Sequence, residues 1–194
     1  MGYKYKREDI LDQGIELFRT RGYHHVGINE VLKASGIPKG SFYNFFESKE
    51  DFAKQALCRY GEQRQEFLIS MLEETNLPPL QRLKSLYRFL IEANREEGFA
   101  NGCLLNNVAI EVGGDNDMLA AETSTAFQNW LDTIELVVAA GQKDGTISTE
   151  YTAREVADYL HSGTYGGFAR MKMDRNADYL NLWYRMTFDM IEVK

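Results

Sequence analysis

One stretch of this 194-residue chain gathers side chains suited to a charged, extended partner: Lys39-Gly40-Ser41-Phe42-Tyr43-Asn44-Phe45-Phe46, followed by Ser48-Lys49-Glu50. Lys39, Tyr43 and Lys49 are types that meet phosphates or line a groove, and Lys49 opens a helix whose free amides add to its charge. Ser41 and Asn44 fall opposite Phe42 and Phe46 at helical spacing, where they can reach base edges. Asparagine carries the paired donor and acceptor that suits adenine. Gly40 lets a helix start approach a partner closely, and its amide can meet a phosphate. With Phe42 and Phe46 buried, Phe45 is expected to be exposed, for a thymine methyl or a neighbouring helix. Each lysine alone would read as a solvated lysine; the block as a whole reads as a DNA-contacting set.

A second kind of chemistry belongs to the two cysteines, Cys58 and Cys103. Two cysteines make no disulfide framework, so a reduced, cytoplasmic protein is expected. Cys103 follows Gly102 at a predicted helix start, where free amides and the helix dipole favour a thiolate. It is either a sensor or a buried, inert small hydrophobe. Cys58 sits mid-helix beside Leu57 and reads as structural. Metal and cofactor chemistry is not expected. His24 and His25 are adjacent and point to different faces, and His161 is remote. Asp115-Asn116-Asp117 reads as a turn and helix cap, since no glutamate follows at the calcium-loop offset. No nucleophile elbow, phosphate loop or dinucleotide fingerprint occurs, so no enzyme activity is expected.

The elements that must hold these residues read as all-α, with about nine helices and no persistent strand pattern. Ile10, Leu11, Gly14, Ile15, Leu17 and Phe18 give a first helix, closed by Gly22. Ile28, Val31 and Leu32 give a short second one, ended by Gly36. A third starts near Pro38. Ser48-Lys49-Glu50-Asp51 has the capping pattern of a fourth, expected to run to about Thr75. Further helices are expected over about 80–97, 103–112, 116–143, 152–173 and 176–191. The two short helices around Gly36 suggest a helix-turn-helix.

Composition agrees with a globular chain: 44% hydrophobic, 26% charged, three prolines. No apolar run is long enough for a membrane span, and the basic start Met1–Arg7 leads into no apolar signal region. The net charge of −7 discourages nucleic acid as a partner. Its distribution weakens that objection, because residues 1–54 hold 9 basic and 8 acidic side chains against 13 and 21 in the remainder. The expected division is therefore a DNA-binding domain over 1–54 and an acidic body over 55–194.

Ile10-Leu11, Leu17-Phe18, Gly22-Tyr23, Ile28, Val31, Ser35-Gly36-Ile37, Lys39 to Tyr43, Phe46 and Ser48-Lys49-Glu50 stand in a familiar order and spacing. From Arg7 to about Lys54, without a gap, this resembles the N-terminal DNA-binding domain of the TetR/AcrR family of transcriptional repressors. Two departures are Gly27, where that family usually has a capping Ser or Thr, and Pro38, which replaces a common serine. The segment Asn101-Gly102-Cys103-Leu104-Leu105, with Glu111 downstream, is similar to one in the branch of electrophile-sensing repressors of the N-ethylmaleimide reductase type. The resemblance implies a homodimer on palindromic double-stranded operator DNA, released by a small molecule or electrophile, with Cys103 as the sensor. Lys172 and Arg170 are candidate basic neighbours of that thiol.

Beyond Gln55 the aromatic residues, among them Tyr87, Phe127 and Trp130, are candidates for lining an effector pocket, although aromatics at helical spacing also make plain core. The resemblance places the dimer interface on the last two helices. Gly163, Gly166 and Gly167 would allow close approach, and Tyr159, Phe168, Leu180, Trp183 and Tyr184 would supply apolar surface. The alternative is that these glycines serve packing inside one chain. A different class of function also stays open, a helical enzyme or ligand carrier with a merely structural helix-turn-helix.

Overall fold

The computed structural model describes residues 5–73 and 76–194. The described residues form nine helices and no strand: α1 Arg7–Arg21, α2 Ile28–Ser35, α3 Lys39–Tyr43, α4 Lys49–Leu72, α5 Pro79–Glu96, α6 Leu104–Val112, α7 Asp117–Lys143, α8 Ala153–Asp174 and α9 Asp178–Ile191. The expected end of the fourth helix at Thr75, and the first four residues of the basic start, lie outside the described residues. No helix among them is long and apolar enough to cross a membrane.

Local chemistry sets the boundaries. Gly22 (φ 83°) and Gly36 (φ 66°) take positive φ where α1 and α2 stop. A side chain there would be strained, which is why glycine ends both helices. At α2 the absent cap hydroxyl at Gly27 is offset from the other side, because the Glu30 carboxylate accepts the Gly27 amide at 2.7 Å. Ser48 Oγ accepts the Asp51 amide at 3.0 Å, and Asp51 in turn accepts the Glu47 amide at 3.0 Å. Thr152 and Glu155 cap α8 reciprocally.

The chain divides into two compact units, Met1–Gln63 with Cys103–Ala126, and Arg64–Gly102 with Phe127–Lys194. The first is built on an aromatic cluster. Phe52 on α4 lies 5.8 Å from Phe18, 5.3 Å from Phe42 and 4.8 Å from Phe46, centroid to centroid. Gly14 exists for this ring, since a Cβ there would stand 2.2 Å from Phe52 Cζ. Arg59 grips Asp12 through two hydrogen bonds of 2.7 and 2.9 Å and so ties α4 to α1.

The second unit is built on an aliphatic core around Tyr87, Trp183 and Phe188. Here the expectation about the glycines of α8 is corrected for Gly163 and Gly167, while at Gly166 a Cβ would meet nothing within 4 Å. Trp183 of the same chain occupies the space beside Gly163, and Leu180 the space beside Gly167. Phe168, Leu180 and Trp183 are buried within the chain, so they are core and not interface. The large apolar side chains that α8 and α9 do expose are Tyr159, Met173, Tyr179, Leu182, Met186 and Met190. A groove of about 250 Å³ between Tyr151, Val156, Tyr159 and Met190 belongs to it.

Candidate nucleic-acid interface

The three residues Gly36-Ile37-Pro38 join α2 to α3. Ile37 is buried, and the Gly36 and Ile37 amides both turn back to the Leu32 carbonyl, which fixes a tight turn between the two helices. α3 is one and a half turns long. Past Tyr43 the chain keeps bending inward, with the Phe45 and Phe46 amides both donating to the Phe42 carbonyl at 2.9 and 3.0 Å. Phe42 and Phe46 are buried, and this anchors one side of α3. Lys39, Gly40, Tyr43 and Asn44 are exposed on the other, and Ser41 is half-buried beside them. Lys39 Nζ lies 6.0 Å from the Tyr43 ring centroid, so the two side chains share one outer edge.

Two placements differ from the expectation. Phe45 is half-buried, 6.1 Å from the Phe46 ring, because the inward bend after Tyr43 carries it partly under the chain. Lys49 is half-buried as well. Its ammonium donates to the Tyr23 carbonyl at 2.7 Å and lies 4.1 Å from the Tyr23 ring centroid. Burial pushes the Lys49 pKa down, against the pull of Glu111 and Glu30. The lysine that opens α4 is thus already engaged as a clamp.

The other half of that clamp lies far away in sequence. Glu111 on α6 accepts the Tyr23 amide at 2.8 Å and the His24 amide at 2.7 Å. No local pattern announces this pair. The partners are 88 residues apart, and the only trace in the sequence is a lone glutamate near the end of a short helix. Asn116 adds a second tie, reaching Glu50 at 2.5 Å. Phe52, the hub of the aromatic cluster, was also not singled out, because a phenylalanine inside an ordinary helical pattern carries no mark of centrality.

Among the sensing candidates, Cys103 is the N-terminal cap residue of α6 and is half-buried. It belongs to the first unit, whereas Tyr87, Phe127 and Trp130 belong to the second. Cys58 is unsuited to attack. Burial, together with Glu122 and Glu62, pushes its thiol up to about 11. Tyr87 is fully buried, 5.4 Å from Trp183 and 6.1 Å from Phe188. Burial drives its hydroxyl well above the usual phenol range, and Trp130 pulls the other way without a hydrogen bond of normal geometry. Phe127 and Trp130 are half-buried, and the Phe127 ring meets His161 edge-on at 4.9 Å and lies tilted against Tyr165 at 5.3 Å. Among the described residues no group of histidine, cysteine and carboxylate side chains is placed to hold a metal ion.

A short helix whose polar side faces out from an aromatic core, preceded by a helix and a tight turn, defines a helix-turn-helix regulator. Residues 10–56 match the family described as bacterial regulatory proteins, tetR family, and residues 79–187 match the tetracyclin repressor-like C-terminal domain. The chain belongs to the TetR family of transcriptional regulators, which bind DNA. It is 30% identical over 185 residues to the HTH-type transcriptional repressor DhaR of a Mycobacterium species, covering 95% of this chain and 91% of that one. It is 32% identical over 106 residues to the repressor NemR of Escherichia coli, covering 55% of this chain and 53% of that one. The crystal structure of a regulatory protein TetR from Rhodobacter sphaeroides superposes with a TM-score of 0.89 at 28% identity, covering 95% and 97% of the two chains.

Proposed function

We propose that this chain is a ligand- or redox-responsive transcriptional repressor that binds a palindromic operator as a homodimer in the cytoplasm and has no enzymatic activity. The observation that carries the reading is α3, with Phe42 and Phe46 held inside and Lys39, Gly40, Tyr43 and Asn44 outside. In this reading Lys39 and Tyr43 meet phosphates, while Ser41 and Asn44 meet base edges. Lys49 orients the region through Tyr23, and its remaining N–H groups face phosphate. Phe45 supports α3 from below. The functional division falls near residue 54, with sensing and dimerisation beyond it.

A single reading head covers too few base pairs to select one site in a genome. Two heads on a two-fold axis, about 34 Å apart, double the site. The exposed Tyr159, Leu182, Met186 and Met190 of α8 and α9 offer the apolar surface for such a pairing. Release by an effector is supported by the match of residues 79–187 to the tetracyclin repressor-like C-terminal domain. Cys103, capping α6, is the proposed thiol for an electrophile.

The test is binding to duplexes selected from a random pool, before and after a limiting electrophile, with labelled cysteines read by mass spectrometry. The expected result is a palindrome bound by a dimer, loss of binding on treatment, and label on Cys103 before Cys58. Failure to select any duplex would favour the ligand carrier or enzyme. Selection with preferential label on Cys58, or with no labelling, would remove the thiol sensor and leave a non-covalent effector.

A further inference from the structure

We infer that Glu111 is a positioning residue for DNA binding, which holds the turn carrying the helix-turn-helix by its backbone. The inference rests on the DNA-binding reading above and adds to it a residue outside the helix-turn-helix. The geometry is specific. One carboxylate accepts two consecutive amides, Tyr23 at 2.8 Å through one oxygen and His24 at 2.7 Å through the other. Such charge-assisted pairs are short, directional and among the stronger hydrogen bonds available to a protein. Gly22 makes room for it. Its φ is +83°, and a Cβ there would stand 3.0 Å from a Glu111 oxygen.

The same turn is gripped from its other side by Lys49, which takes the Tyr23 carbonyl and covers the Tyr23 ring. Amide, carbonyl and ring of one residue are therefore all spoken for. α2 starts five residues after Tyr23, and α3 follows α2 through a three-residue turn. The orientation of the reading helix thus depends on a carboxylate supplied by α6, 88 residues away in sequence. Cys103 caps that helix eight residues before Glu111, roughly 12 Å along its axis.

Charge makes the inference testable by sign. A carboxylate in a DNA-binding unit repels the phosphates, so removing it should tighten DNA binding if charge were its only role. A positioning role gives the opposite sign. The selected duplex is titrated with wild type, Glu111→Ala and Glu111→Gln across a salt series, with thermal melting and circular dichroism of each protein. Glu111→Ala should bind about tenfold more weakly at unchanged helicity, with the wild-type salt slope, because no phosphate contact is lost. Glu111→Gln keeps an acceptor oxygen for one amide and should recover part of the affinity. Binding by the alanine variant as tight as wild type, or tighter, would overturn the inference. If the alanine variant fails to fold, the glutamine variant decides, and wild-type or stronger affinity for it has the same force. A wild type that selects no duplex would instead overturn the DNA reading, and this inference with it.

Discussion

The two compact units are built on different cores, an aromatic cluster around Phe52 in the first and a mainly aliphatic core in the second. In the first, polar groups far apart in sequence find each other: Glu111 with the Tyr23 and His24 amides, Lys49 with the Tyr23 carbonyl, Asn116 with Glu50, Arg59 with Asp12. In the second, a large apolar core closes around Tyr87, Trp183 and Phe188, and the long-range polar ties lie at its edge, Lys84 with Glu192, Gln65 with Thr133 and Arg154 with Asp132. A reading head needs one fixed geometry, and dense polar ties supply it.

The most severe way to break the comparison is to remove the hub of the first unit. Phe52 touches the rings of Phe18, Phe42 and Phe46 and is fully buried. Phe52→Ala should destabilise by about 3–5 kcal/mol, through lost transfer energy and the cavity left under α1 and α3. Urea unfolding checks it. A loss below about 1 kcal/mol would mean that the aromatic cluster does not hold α3 in place.

In the second unit the corresponding experiment is a titration. The His161 ring meets Phe127 and Tyr165 edge-on, its Nε2 is buried without a partner, and burial lowers its pKa from 6.5 to about 4. Asp158 opposes that shift and Arg154 adds to it. Above about pH 6.5 the imidazole is neutral in both folded and unfolded chains, so it contributes no pH dependence. As pH falls from 6.5 to about 4 only the unfolded chain takes up the proton, and stability is lost progressively across that window. Below it the loss is complete, at most about 3 kcal/mol. His161→Gln should flatten this part of the stability profile relative to wild type. Parallel profiles for the two proteins would show that the imidazole is not held neutral.

What the sequence made legible follows from the range over which each signal acts. Helix ends are written locally, in Gly22, Gly36, the Ser48–Asp51 cap and the Thr152–Glu155 cap, and these agree with the structure. The inward-facing pair Phe42 and Phe46 was legible from spacing, and their burial agrees. Phe45 was not, because its burial depends on a bend that begins where α3 stops, and spacing alone extends the helix through it. Gly163 and Gly167 of α8 misled for a related reason. A small residue declares that something comes close, and only the fold shows that Trp183 and Leu180 of the same chain do so. Glu111 itself is visible in the sequence, but its pairing with Tyr23, 88 residues away, has no local pattern.

The finest test uses a glycine that the protein itself does not require. Gly14 and Gly40 both lie in helices of the first unit, but a Cβ on Gly14 would collide with Phe52, whereas a Cβ on Gly40 meets nothing within 4 Å. Neither internal packing nor a positive φ demands glycine at position 40. Alanine there should be neutral or stabilising by about 0.5–1 kcal/mol, because it restricts the unfolded chain and favours helix. If the outer face of α3 meets DNA backbone, the added methyl stands in the contact and the same substitution should weaken binding by about tenfold, close to 1.4 kcal/mol. Melting and duplex titration of Gly40→Ala therefore move in opposite directions under the proposed reading. Raised or unchanged stability with undiminished affinity would show that Gly40 does not face the partner, and would move the DNA contact away from the start of α3.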